Sequence, residues 1–199
     1  MGKLTIDDIS DLRAYERERP EFRAKVIDLK KRRRVHVGPV ITLVFENRET
    51  IRFQIQEMAR VEKLISDEAI EGELRAYNPL IPEPGSLSAT LFIELTSDAE
   101  LREWLPRLVD IEFTAELRIS TAGDPMVVRC TPDEEHEKLL TSHEITSSVH
   151  YIRWDLAPEQ AEAFAAAETV RLAFDHAEYR HEIDLTPETR AELLADLRG

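Results

Sequence analysis

A chain of 199 residues, 42% of them apolar, is long enough for a sizeable core, as one large domain or two small ones, and too apolar to stay disordered. Its net charge of -14 argues against nucleic acid as the main partner, and no segment approaches the length of a membrane span. The single cysteine, Cys130, excludes an intrachain disulfide and any multi-cysteine zinc site or iron–sulfur cluster held by this chain alone.

The start, M-G-K-L-T-I-D-D-I, lacks the apolar stretch of a signal peptide, so a soluble, cytoplasmic protein is expected. Thr5, with Asp8 three residues on, reads as the cap of a first helix that carries Ile6, Ile9, Leu12 and Tyr15 on one face. Pro20 interrupts it. A second helix over 21–31 turns Phe22, Val26 and Leu29 inward and closes in the basic run Lys30, Lys31, Arg32, Arg33 and Arg34.

Gly38-Pro39 punctuates the start of a strand over 40–45, which is apolar except for Thr42 and so covered on both faces. Asn47 caps a helix over 48–65. Ile51, Ile55, Met58, Val61 and Ile65 fall on its inner face, and Arg52, Gln56, Arg60 and Lys63 on the other. A short helix follows to residue 77. Three prolines and a glycine then make 77–85 a rigid connection, anchored through Leu80 and Ile81.

The rest of the chain reads as a duplicated pattern. Strand 88–95, helix 97–104, strand 113–119, turn 123–125 and strand 126–130 form one unit. Strand 148–156, a helix opened by Pro158 and running to 166, strand 170–174, turn 176–178 and strand 179–185 form another. A polar surface segment, 131–138, separates them. Thr186-Pro187-Glu188 caps a last helix with Leu193, Leu194 and Leu197 inward. The fold class is therefore α+β: an N-terminal helical segment with one strand, 1–84, then two β-α-β-β units forming mostly antiparallel sheet, 85–199. The two parts are expected to pack as one compact unit.

Three groups of residues carry candidate chemistry. The first is the basic run. Residues 1–36 hold 11 Lys/Arg against 7 Asp/Glu, a net of +4, whereas the remainder holds 15 against 33, a net of -18. The run is either a solvated helix end or a docking surface for an acidic partner, phosphate or the chain's own acidic face.

The second group is polar. Gln54 and Glu62 lie within the apolar arc of helix 48–65, and Glu57 lies at its edge. A buried carboxylate needs a partner, and Arg32, Arg33, Arg34, His36 and Asn47 are near in sequence. These residues form either a structural network or a ligand pocket built from His36, Gln54, Glu57 and Glu62.

The third group is imidazoles. Alternation places His150 beside Ile152, Trp154 and Leu156, and His181 beside Tyr179, Ile183 and Leu185. With His176, or with His36, and a carboxylate they could bind iron or zinc; otherwise they are hydrogen-bonded core histidines. Gly-rich phosphate loops and the G-x-S-x-G elbow are missing from the sequence. Cys130 ends a strand as a core residue.

Six stretches, R-P-E-F-R (19–23), R-R-V-H-V-G-P (33–39), F-E-N-R-E-T (45–50), Q-I-Q-E-M (54–58), A-Y-N-P-L-I-P (76–82) and S-S-V-H-Y-I-R-W (147–154), resemble one uncharacterised bacterial family, catalogued as domain of unknown function thirty-five-oh-one. The resemblance covers nearly the whole chain. It brings no catalytic residues. It implies, by genome association, a role beside rubrerythrin-like proteins and iron–sulfur oxidoreductases in redox or oxidative-stress metabolism. Two functions are therefore expected in turn: an accessory protein that binds a redox partner, or a metal-binding protein or metal-dependent enzyme built on His150, His181 and a carboxylate such as Glu57 or Glu62.

Overall fold

The structure, a computed structural model, describes residues 2–133 and 145–199. Most of the expected polar segment, 134–138, lies outside the described residues. Alternation builds the centre. In β3 (Ser86–Ile93), Leu87, Ala89, Leu91 and Ile93 join the main core, while Ser86, Ser88 and Thr90 share the opposite face. Both faces are covered.

β3 is the middle of a five-stranded antiparallel sheet, ordered β1 (Arg34–Val37), β2 (Ile41–Phe45), β3, β7 (Val149–Asp155), β6 (Thr131–Pro132). A four-stranded antiparallel sheet runs β5 (Met126–Arg129), β4 (Ala115–Ser120), β8 (Thr169–His176), β9 (Tyr179–Asp184). Phe45, Leu91 and Trp154 of the first sheet share one apolar core with Leu117, Ile119, Leu172 and Phe174 of the second. The larger sheet takes strands from both sides of residue 84.

The duplication is visible in the topology. One unit is β3, α4 (Asp98–Trp104), β4 and β5; the other is β7, α5 (Pro158–Ala166), β8 and β9. Equivalent strands pair with each other, β3 with β7 and β4 with β8. Each unit thus gives its first strand to one sheet and its hairpin to the other.

The N-terminal part departs from expectation in three places. It contributes two strands rather than one, because β1 begins at Arg34, the last residue of the basic run, and forms a hairpin with β2. Gly38 turns that hairpin at φ +71, with the Tyr179 hydroxyl donating to the Val37 carbonyl at 2.6 Å.

Secondly, the capped segment at Thr5 is a single helical turn, Ile6–Asp8, and α1 (Leu12–Arg33) starts from the Asp11 cap and passes straight through Pro20. An interior proline costs roughly 3 kcal/mol. Continuity is worth more here, since Tyr15, Phe22 and Val26, on both sides of the proline, bury together, with Phe53 of α2 (Arg48–Glu62) packed against them.

Thirdly, α2 ends at Glu62, with Lys63 in the left-handed region, so Val61 and Ile65 are 67% and 87% exposed instead of inward. Gln56 is fully buried instead of outward, exchanging two hydrogen bonds with the Ser10 backbone. α2 is covered on two sides, by α1 and by the cluster of Ile51, Ile55, Leu74, Leu80 and Ile81. α3 (Asp67–Tyr77) precedes the proline-rich connection, in which Leu80 and Ile81 are buried as expected. α6 (Pro187–Arg198) opens at the Thr186 cap and buries Leu193 and Leu197. Among the described residues, no helix is long and apolar enough to cross a membrane.

Candidate functional site

The hydroxyl-bearing face of β3 lies beneath the helices, where each hydroxyl must find an acceptor. Ser86 donates to the Glu83 carbonyl at 2.8 Å and Ser88 to the Leu80 carbonyl. Thr90 donates to Glu46 Oε1 at 2.7 Å. Val44 and Tyr151 flank Thr90 in the register and share its face.

Glu46 joins β2 to α2 and is 6% exposed. Its backbone is fixed from two directions: the N–H donates to Ser88 O at 2.8 Å, and the carbonyl accepts from Arg33 Nη2 at 3.0 Å. The Thr50 hydroxyl donates to Oε2. The N-terminus of α2, capped by Asn47, follows at once and favours negative charge there. Each carboxylate oxygen can accept about two hydrogen bonds. One hydroxyl on each therefore leaves acceptor capacity facing outward.

What it faces is a cleft of about 240 Å³ between α2, the 77–80 connection and the sheet. Lys30, Glu46, Gln54, Tyr77 and Tyr151 supply its polar groups; Ile51, Leu80, Phe92 and Val149 supply its apolar wall. Burial, reinforced by Tyr77, Glu46 and Asp133, holds the Tyr151 hydroxyl above the ordinary phenol range, so it remains protonated. Neither Lys30 nor the Glu46 carboxylate forms an ion pair with a described residue, although both border the same space. Arrangements of this kind bind small molecules: apolar walls for a stem, and a few fixed polar groups for its ends.

The basic run serves the fold more than the surface. Arg33 is fully buried. It donates to the Phe45 carbonyl at 2.9 Å and to Glu192 Oε2 at 3.2 Å, and pairs with Asp196. Arg32 pairs with Glu192 at 2.8 Å and with Asp28, and exposed Arg34 lies 3.5 Å from Glu94. Lys31 is exposed and Lys30 reaches the cleft. The partners of Arg32 and Arg33 are thus mainly on α6, with Asp28 on α1 beside Arg32 and Glu94 beside Arg34, and not Glu57 or Glu62.

The four residues expected to line a pocket are dispersed. Gln54 is in the cleft. Glu57 accepts from Arg19 at 2.7 and 2.9 Å and from Tyr15 at 2.8 Å, and the arginine bonds set its carboxyl below the usual range. Glu62 is exposed, because α2 ends there. His36 is exposed on β1. Its Nδ1 lies 2.8 Å from the Thr42 hydroxyl, which donates to Glu94 at 2.9 Å.

The three imidazoles are not brought together. His150 is buried, its Nε2 donating to Ser147 O at 2.9 Å beside Thr146, with Nδ1 3.9 Å from Glu112. His176 donates from Nε2 to Val109 O at 2.9 Å and accepts on Nδ1 from Glu178 N at 3.2 Å. His181 is exposed on edge strand β9, its ring tilted against Tyr179 with centroids 4.5 Å apart. β7 and β9 belong to different sheets. Among the described residues, no group of three His, Cys, Asp or Glu side chains could hold a metal ion.

Sequence reasoning passed over Glu46, Thr50, Tyr77, Thr90 and Tyr151. A signal existed: a strand alternating Ser, Ser and Thr on one face, followed in space by a glutamate that ends an apolar run. Four of the six stretches that carry the family resemblance contribute to the cleft, through Glu46, Gln54, Tyr77 and Leu80, and Val149 and Tyr151.

Fold and site together define an α+β protein of two packed antiparallel sheets, with a small polar cleft between the larger sheet and its helices. The chain belongs to the family described as "Protein of unknown function (DUF3501)", which matches residues 3–197. It is similar to a crystallised protein of unknown function from Burkholderia pseudomallei, with 36% identity and a TM-score of 0.89 over 98% of this chain and 100% of that one. Comparison with curated proteins gives no match.

Proposed function

We propose that this chain is a cytoplasmic accessory protein that binds a small molecule in the Glu46 cleft and serves a redox or oxidative-stress system. One observation carries the binding half: a buried carboxylate, held by two hydroxyls but by no described cation, opens into a cleft with aromatic walls. Leaving such a charge uncompensated is costly, so the site is one that a ligand completes. The redox half is supported by the family resemblance, and the cytoplasmic location by a free, buried thiol at Cys130.

The test is to purify the chain and its Glu46→Gln variant from native cells and identify by mass spectrometry what each releases on denaturation. A small molecule is expected from the wild type and not from the variant. Identical profiles would overturn the binding reading. Failure of rubrerythrin-like or iron–sulfur oxidoreductase proteins to co-purify with the ligand-bound chain would overturn the redox role.

A further inference from the structure

We infer that the cleft takes a small zwitterion, with a protonated amine at one end, a carboxylate at the other and an apolar stem between. This rests on the cleft being a ligand site and names the class of ligand. Two charges of opposite sign border the cleft, and neither has an ionic partner among the described residues. Arg33 reaches only the Glu46 backbone carbonyl, and its remaining bonds go to Phe45, Glu192 and Asp196. The Glu46 carboxylate therefore offers its free acceptor positions to whatever enters. An ammonium group suits it best, because it brings both several donors and the compensating charge.

Lys30 supplies the other end. It stands at the C-terminal part of α1, half-buried, with its ammonium group available to an anion. Lys30 Nζ and the Glu46 carboxylate are farther apart than an ion pair allows, so a ligand can separate them. Tyr77, Tyr151 and Phe92 line the same space, and aromatic rings suit both a cation and methylenes. Size sets the last limit. At about 240 Å³ the space falls below the ~300–1,000 Å³ of drug-sized pockets, so the ligand is a small metabolite and not a nucleotide or a peptide.

Isothermal titration of the full chain tests this. The probes are the standard L-α-amino acids and the ω-amino acids from glycine to 6-aminohexanoate, with butylamine and butyrate as controls and a small-molecule extract of native cells for comparison. At least one zwitterion is expected to saturate, with each control weaker by about tenfold or more, the loss of one charge-assisted contact. Lys30→Met, at the rim, should weaken that zwitterion about tenfold while its urea midpoint stays at the wild-type value, and Glu46→Gln should abolish binding. A control that binds as tightly as the best zwitterion, or unchanged affinity in Lys30→Met, overturns the inference. If every zwitterion is inert while the extract binds, the ligand class is wrong and the cleft reading survives. If the extract is inert as well, both fall.

Discussion

Replacing Arg33 with Met removes the centre of the contact between α1 and α6. The side chain is fully buried, pairs with Asp196, meets Glu192 at 3.2 Å, and satisfies the carbonyls of Phe45 and Glu46 at 2.9 and 3.0 Å. Methionine keeps most of the volume, so no large cavity forms. What remains is a buried Asp196 carboxylate without its cation and two carbonyls without donors. Removing one partner of a buried pair costs roughly 3–5 kcal/mol. For a chain of this length that lowers the midpoint of thermal unfolding by about 6–20 °C, at ~2–4 °C per kcal/mol.

Urea titration followed by fluorescence of core Trp154 reads the loss. The double variant Arg33→Met, Asp196→Leu removes both charges and should regain at least half of it, leaving mainly the cost of the two carbonyls. A single variant within about 1 kcal/mol of wild type would refute the reasoning. It would mean that the run is a solvated face after all.

Glu57→Gln should cost about 1–2 kcal/mol at pH 7, because Arg19 and Tyr15 lose a charged acceptor. The Glu57 carboxyl is held below its usual value in the fold, first by Arg19. Its contribution is therefore present above the unfolded carboxyl range near pH 4.5 and is lost as pH falls through the folded value; wild type and variant should converge in acid urea titrations. Cys130, whose thiol burial pushes up to about 12, should resist iodoacetamide in the folded chain at pH 8 and react once unfolded, as counted by mass spectrometry. Gly38→Ala places a methyl carbon 2.5 Å from His181 Cγ and 2.6 Å from the Tyr179 hydroxyl at a φ of +71, so a loss of about 2–4 kcal/mol is expected in urea.

Apart from β1 and its hairpin with β2, the main strands were legible because their signals are local. Period-two alternation located β3 and β7–β9 to within a residue or two, and the equivalence of the two units followed from it. Helix ends were less legible. Pro20 argues for a break, and only the distant partners of Tyr15 and Phe22 show why α1 continues. The fate of Arg33 was hidden for the same reason, since five basic residues in a row look solvated until Glu192 and Asp196, at the far end of the chain, are folded against them.

Alternation put His181 on the apolar side of β9 with Tyr179, yet that strand is an edge and the ring is exposed. The cleft was legible only in pieces. Glu46 ends one strand, Thr90 sits on the next, and Tyr77 and Tyr151 come from two other stretches. Nothing local announces that they meet.

The central claim is that the Glu46 cleft is where this protein binds its ligand, and methyl NMR tests it most directly. The Ile, Leu and Val methyl groups are labelled, and the chain is titrated with small-molecule extract from native cells. Shifts are predicted at Ile51, Leu80 and Val149, which line the cleft, while Val127 and Ile183 on the surface of the second sheet stay in place. Shifts concentrated on the second sheet, or none at the three cleft residues, would contradict the account.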